Sequence, residues 1–130
     1  MKLNKTQIKT IHKRCLSLIK RKEPSFFIFR KLRGAMGYML WEDEKNEEKI
    51  EIDYRKSLLP TVIHECIHYL YPEWNETEVL YAESRVVNHL DSFEMAKILK
   101  LFSEKLYKNE KSIRVKKKIA KKRHKKNCNL

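Results

Sequence analysis

The chain has 130 residues, 42% apolar and 36% charged, which suits one compact domain with a modest core. Its longest apolar run, Phe26-Phe27-Ile28-Phe29, falls far short of the ~20 residues of a membrane-spanning helix, and its polar start lacks the apolar stretch of a secretory leader, so a cytoplasmic protein without membrane contact is expected. The net charge of +13 is divided unevenly: residues 1–33 carry eleven Lys/Arg against one acid, residues 34–107 eight against fifteen, and residues 108–130 eleven against one, so an acidic middle lies between two basic ends.

In chain order, Ile8, Ile11, Cys15, Leu18 and Ile19 recur at helical spacing and predict an amphipathic helix over residues 4–22. Glu23-Pro24-Ser25 breaks it. Residues 25–32, rich in Phe and Ile, read as a strand, Gly34 and Gly37 mark turns or bulges, and residues 38–41 read as a second strand. The polar run 42–48 predicts a hairpin loop, and residues 49–54 alternate apolar and polar as a short third strand.

From Ser57 the period changes to that of a helix, with Ser57 as its N-cap and Pro60 in its first turn. Leu59, Val62, Ile63, Cys66, Ile67 and Leu70 supply the apolar face, and Pro72 ends it near Tyr71. Asn75 caps a helix over residues 76–90, and Asp91 with Glu94 opens another over residues 92–107 as a capping box. Helix, three strands, then three helices give an α+β class. Residues 1–107 form the domain, and residues 108–130 a basic tail expected to be disordered or transiently helical. Three cysteines (Cys15, Cys66, Cys128) with no CxxC pair argue against a disulfide framework and for a reducing compartment.

His64-Glu65-Cys66-Ile67-His68 is HExxH, inside the helix just described. Spacing i, i+4 stacks both imidazoles on one face, where they can ligate one Zn²⁺, and Glu65 can reach a water at the metal without binding the metal itself. Cys66 points away and reads as core. A catalytic zinc site has three protein ligands and one open position, so the next helix should supply the third. Placing Glu76 at the origin and stepping about 100° per residue, Val79, Leu80, Val86, Val87 and Leu90 fall in its arc and Glu83 lies about 20° away. Glu78 falls on the far side beside Arg85, as a surface ion pair. In an antiparallel hairpin Glu76 approaches His68 as third ligand and Glu83 approaches His64, holding its second ring nitrogen. The swapped assignment, Glu83 as ligand and Glu76 as a helix N-terminal charge, remains open.

The segment 61–72 (TVIHECIHYLYP), continuing through Trp74-Asn75-Glu76 and Val79 to Glu83, resembles the small zincin-type metallopeptidase domains: the minimal gluzincin-like, SprT-like and phage-encoded proteins of bacteria and their viruses. The resemblance covers about residues 25–90 and is specific only around the HExxH helix and the Glu-bearing helix. It implies a minimal zincin-like fold with one Zn²⁺ per chain and the strand before the HExxH helix, residues 49–54, as the sheet edge along the cleft, open to an extended substrate. SprT-like members usually carry a third histidine ligand, whereas His89 points about 220° round the wheel, away from the Glu76 arc. The gluzincin NExxD pattern is incomplete here, with Leu80 in its last position. The absence of a placed third histidine favours a glutamate as third ligand.

Two functions are therefore expected to compete. The first is a zinc metallopeptidase with Glu65 as general base and Tyr69, Tyr71 or Tyr81 near the oxyanion. The second is a non-catalytic DNA- or RNA-associated protein on the same scaffold, binding through its basic ends, with Lys116, Lys117, Lys118, Lys121, Lys122 and Arg123 on phosphates. A peptide or protein substrate belongs to the first reading and nucleic acid to the second.

Overall fold

The computed structural model describes residues 1–29, 32–42, 48–53 and 57–128. Helix α1 (Lys5–Arg21) is followed by a 3-10 turn (Pro24–Phe26), strands β1 (Phe27–Phe29), β2 (Gly37–Leu40) and β3 (Lys49–Ile52), and helices α2 (Leu58–Leu70), α3 (Glu76–His89) and α4 (Ser92–Cys128). The protein is α+β, mostly helical, with one small mixed sheet. Among the described residues no helix is long and apolar enough to cross a membrane.

The apolar stripe of α1 is buried as its spacing predicts: Ile8, Ile11, Cys15, Leu18 and Ile19 all pack inward. They meet Val62, Ile63, Cys66 and Ile67 of α2, Val79, Ala82 and Val86 of α3, and Ile98, Phe102 and Leu106 of α4 in one core. Complete burial of side chains of this size contributes roughly 1.5–3 kcal/mol each. Phe27, Ile50 and Ile52 bring the sheet into the same core, and the Phe27 ring meets Phe102 edge-on at 5.3 Å.

Sheet order is β1-β3-β2, with β1 parallel and β2 antiparallel to β3. The third strand is therefore central, not the edge expected from the resemblance. The reason lies in the connection: the chain passes from β2 back into β3 as an antiparallel neighbour, while β1 closes the other side of β3 in parallel. The strand that borders α2 with a free side, among the described residues, is β2. On the opposite edge, Asn109 of α4 donates from Nδ2 to the Phe27 carbonyl at 2.8 Å, covering a backbone acceptor as sheet edges require.

Several boundaries differ from expectation. The segment expected to begin the first strand starts instead as a 3-10 turn, because Pro24 fixes φ and lacks an N–H to donate. Positions 30–31 of that strand, loop positions 43–47 and Tyr54 lie outside the described residues. Ser57 is the N-cap of α2 but makes no side-chain capping bond; its carbonyl instead accepts from the Thr61 hydroxyl. Glu78 closes a capping box with Asn75 and is turned to its own helix end, not to Arg85. Leu80, expected in the buried stripe, is 49% exposed. The helix expected to end near residue 107 continues: α4 runs unbroken from Ser92 to Cys128. No Gly or Pro follows Pro72 to stop it, and lysine, arginine and alanine favour helix. The Asp91–Glu94 capping box opens α4 as predicted.

Two measurements check this packing. Asn109→Ala leaves the Phe27 carbonyl buried without its donor and should cost about 1–3 kcal/mol in urea unfolding. His12 is buried on α1, 3.4 Å from Glu94. Burial lowers its pKa below 6.5, helped by His89 and Lys13 and opposed by Glu94 and Asp91. A histidine charged less readily in the fold gives stability that is complete above the unfolded pKa and is lost as pH falls below it. The urea midpoint should therefore fall from pH 7 to pH 5 more steeply in the wild type than in His12→Gln.

Candidate metal centre

Helix α2 presents three faces. Val62, Ile63, Cys66 and Ile67 enter the core, Thr61 and Glu65 face the sheet edge, and His64 and His68 face α3. The i, i+4 geometry brings the two imidazoles together with ring centroids 4.8 Å apart. Cys66 is buried against Cys15 on the opposite side, away from the histidines.

The α2–α3 turn aims Glu76 at them. Pro72 ends α2, the Trp74 amide donates to the Tyr71 carbonyl at 3.0 Å, and the Tyr71 and Trp74 rings stack at 4.1 Å under the Arg14 guanidinium. Asn75 then starts α3 with a reciprocal capping box. Glu76, the first residue of α3, lies where the helix dipole favours an anion. Its carboxylate spans both rings: Oε1 is 2.8 Å from His64 Nε2, Oε2 is 2.7 Å from His68 Nε2, and the two Nε2 atoms are 3.1 Å apart. Glu83, two turns along α3, meets the other nitrogen of His64, with Oε1 at 3.1 Å from Nδ1. Of the two arrangements left open by the sequence, the fold has Glu76 at the shared point and Glu83 behind His64.

Three ligand atoms from His64, His68 and Glu76 lie within 4.8 Å of one another. A tetrahedral zinc site with bonds of ~2.0–2.1 Å has ligand–ligand edges of about 3.3 Å; the two imidazole nitrogens, 3.1 Å apart, are near that spacing, and the Glu76 oxygens, at 2.8 and 2.7 Å, lie closer, at hydrogen-bond distance. With Nδ1–H of His64 directed at Glu83, its Nε2 lone pair faces the Glu76 carboxylate and the second imidazole. Acceptors so gathered call for a cation or protons between them. The donor set of two imidazoles and one carboxylate fits Zn²⁺. Burial works against a charged His64, but the Glu83 hydrogen bond and the charges of Glu76, Glu65 and Glu83 outweigh it and raise its pKa.

Glu65 stands outside that set. It is 5% exposed, and burial pushes its carboxyl up to about 7, with Glu76 and Glu83 acting in the same direction and His64 against. It opens on a cleft of about 710 Å³ bounded by the loop before β2, by β2, and by α2 and α3. His64, His68, Glu76 and Glu83 line this cleft, with Met36, Met39, Trp41 and Leu80 as its apolar wall. The exposure of Leu80 is explained by this position.

Some of these residues were not visible as site residues in the sequence. Gly37 is one: a Cβ there would meet Glu65 Cγ and Thr61 Cγ2 at 3.0 Å and the Glu51 carbonyl at 3.1 Å. A glycine inside a strand signals such a close approach, and that was the available clue. Asp53 is another: fully buried, it accepts from the Leu32 amide at 2.9 Å through Oδ2, and its own amide donates to the Met36 carbonyl at 2.8 Å. It thereby ties down the loop in which Gly34 takes a φ of 74°.

The three candidate tyrosines are engaged in other contacts. Tyr69 stacks on Trp41 at 5.9 Å beneath Lys22, Tyr71 stacks on Trp74, and the Tyr81 hydroxyl accepts from the Leu3 amide at 3.4 Å. None of them lines the cleft among the described residues. Lys116, Lys117, Lys118, Lys121 and Lys122 lie exposed on α4; the side chain of Arg123 lies outside the described residues.

No protein family, curated protein or solved structure matches the chain. The packing of β2 on α2 has a direct check: Gly37→Val should cost about 1–3 kcal/mol by overpacking, read as a lowered urea midpoint.

Proposed function

We propose that this protein is a zinc-dependent metallopeptidase of minimal zincin type. The observation that carries the proposal is the convergence of His64, His68 and Glu76 on one point while Glu65, their neighbour, stays free at the wall of an open cleft. His64 Nε2, His68 Nε2 and a Glu76 oxygen would hold the ion. The chemistry a Zn²⁺ supplies in such a place is Lewis acidity, which polarises a carbonyl and makes water a stronger acid.

The protein's own groups account for the rest. Glu83 fixes the His64 tautomer by accepting from Nδ1–H, leaving Nε2 as a donor of its lone pair. Glu65 takes the proton of the attacking water and returns it to the departing amine, a role open to a carboxylate that is not itself a ligand. Strand β2 bounds the cleft and offers the backbone groups of its outer side to an extended peptide, by strand addition. This moves the expected substrate edge from residues 49–54 to Gly37–Leu40. Met36, Met39, Trp41 and Leu80 give the peptide an apolar wall against which to exclude water.

Elemental analysis and cleavage of an unfolded protein substrate, read together, test the proposal. The wild type should hold one zinc per chain, and His64→Ala and Glu76→Ala should lose it. Glu83→Ala should bind zinc about 10–100-fold more weakly. Glu65→Gln should keep its zinc while cleavage falls by about 10²–10⁴-fold. Failure of the wild type to bind zinc, or undiminished cleavage by Glu65→Gln, overturns the proposal.

A further inference from the structure

Helix α4 has two halves with different surroundings. Its first half is docked: Ile98, Phe102 and Leu106 are buried in the core, and Asn109 is bonded to β1. Beyond Asn109 contact with the body dwindles. Glu110 and Ile113 are half-buried, and residues 114–122 are all exposed. From residue 114 to Cys128 the helix extends about 22 Å.

That free half is cationic throughout. Residues 111–126 include ten Lys/Arg and no acid. Arg114–Lys118, Lys117–Lys121 and Lys118–Lys122 are like-charge pairs at i, i+4, each of which opposes the helix by roughly 0.2–0.5 kcal/mol. A sequence that keeps this repulsion exposed is matched to a polyanion that removes it. The positive surface also continues onto the body. Lys105 of α4 donates from Nζ to the carbonyls of Lys20 and Lys22, which brings the basic end of α1 (Lys20, Arg21, Lys22) alongside. The cleft has the opposite character, with Glu65, Glu76 and Glu83 in its lining and, among the described residues, no Lys or Arg.

Which polyanion fits follows from what the arm lacks. No aromatic residue lies after Tyr107, so there is no platform on which unpaired bases could stack. Among the described residues the large exposed apolar side chains of the free half are Val115 and Ile119, one turn apart, too little apolar face for a helix lying in a membrane interface. A straight helix about 10–12 Å across matches the ~12 Å major groove of B-form DNA, whereas the major groove of duplex RNA is too deep and narrow to admit it.

We infer that the free half of α4 is a docking arm for double-stranded DNA, which it grips through phosphates without reading sequence and with the cleft left open. The inference is independent of the metal centre.

The test uses the full chain and fluorescence anisotropy with two unrelated duplexes of about 20 base pairs across a salt series. Both duplexes should bind alike, with Kd of about 10⁻⁴–10⁻⁶ M at physiological salt and a steep salt dependence. Replacing Lys116, Lys117, Lys118, Lys121 and Lys122 together by Gln should weaken binding by at least about tenfold and reduce the log–log salt slope by about 2–4. Replacing the same five by Arg should preserve both, and the thermal midpoint of each variant reports that the body is folded. Unchanged affinity and slope in the Gln variant overturn the inference. So does tighter binding to single strands, to duplex RNA of equal length, or to phosphatidylserine vesicles.

Discussion

The geometry of the site depends on one carboxylate placed between two imidazole nitrogens. His64 and His68 would project from α2 in the same way in any helix with this spacing, and alone they would be two solvated side chains. Glu76 makes them a centre because the turn between α2 and α3 is short and rigid. The stacked rings of Tyr71 and Trp74, the Arg14 guanidinium above them and the Asn75 capping box fix where α3 begins. Since Glu76 is the first residue of that helix, fixing its start fixes the carboxylate. Glu83 then follows without freedom, two turns along the same face and level with the outer nitrogen of His64.

Assembling acceptors in this way opposes folding unless a positive charge joins them. Glu65, Glu76 and Glu83 lie about the same imidazoles, and Glu76 and Glu83 raise the cost of charge on the buried Glu65. The apolar core beneath must offset that cost, and Val62, Ile63, Cys66 and Ile67 on the reverse side of α2 are fully inside it. The helix that carries the chemistry is thus also among the most deeply anchored. Gly37 extends the same logic to the sheet: a side chain there would press on Glu65 and Thr61, and its absence lets β2 lie this close to them.

Charge is divided by element as well as by sequence. Glu65, Glu76 and Glu83 of the acidic middle line the cleft, while Lys105 of α4 caps the carbonyl end of the basic helix α1. A flexible tail would have left the basic residues without fixed direction. The unbroken helix instead gives them a defined line from the body outward.

Local pattern was legible in the sequence wherever one element alone decided the outcome. The stripe of α1, the HExxH helix and its stop at Pro72, and the caps at Asn75 and Asp91 all follow from spacing and from single residues whose preferences are local. Helical angles even placed Glu76 and Glu83 on the histidine side of α3. Contacts between distant segments were beyond that reach. Strand order put β3 in the centre and gave the cleft to β2, which alternation within one strand cannot reveal. Leu80 looked like core by period and became cleft wall because no element covers it. The tyrosines were near the motif in sequence, yet none of them lines the cleft among the described residues. The sequence by itself determined which residues could face one another, since the turn of a helix is a local property. Which of them do, and what lies across the gap, was decided only when α3 and β2 packed on α2, because that choice is made by shape and charge between segments that the chain order leaves far apart.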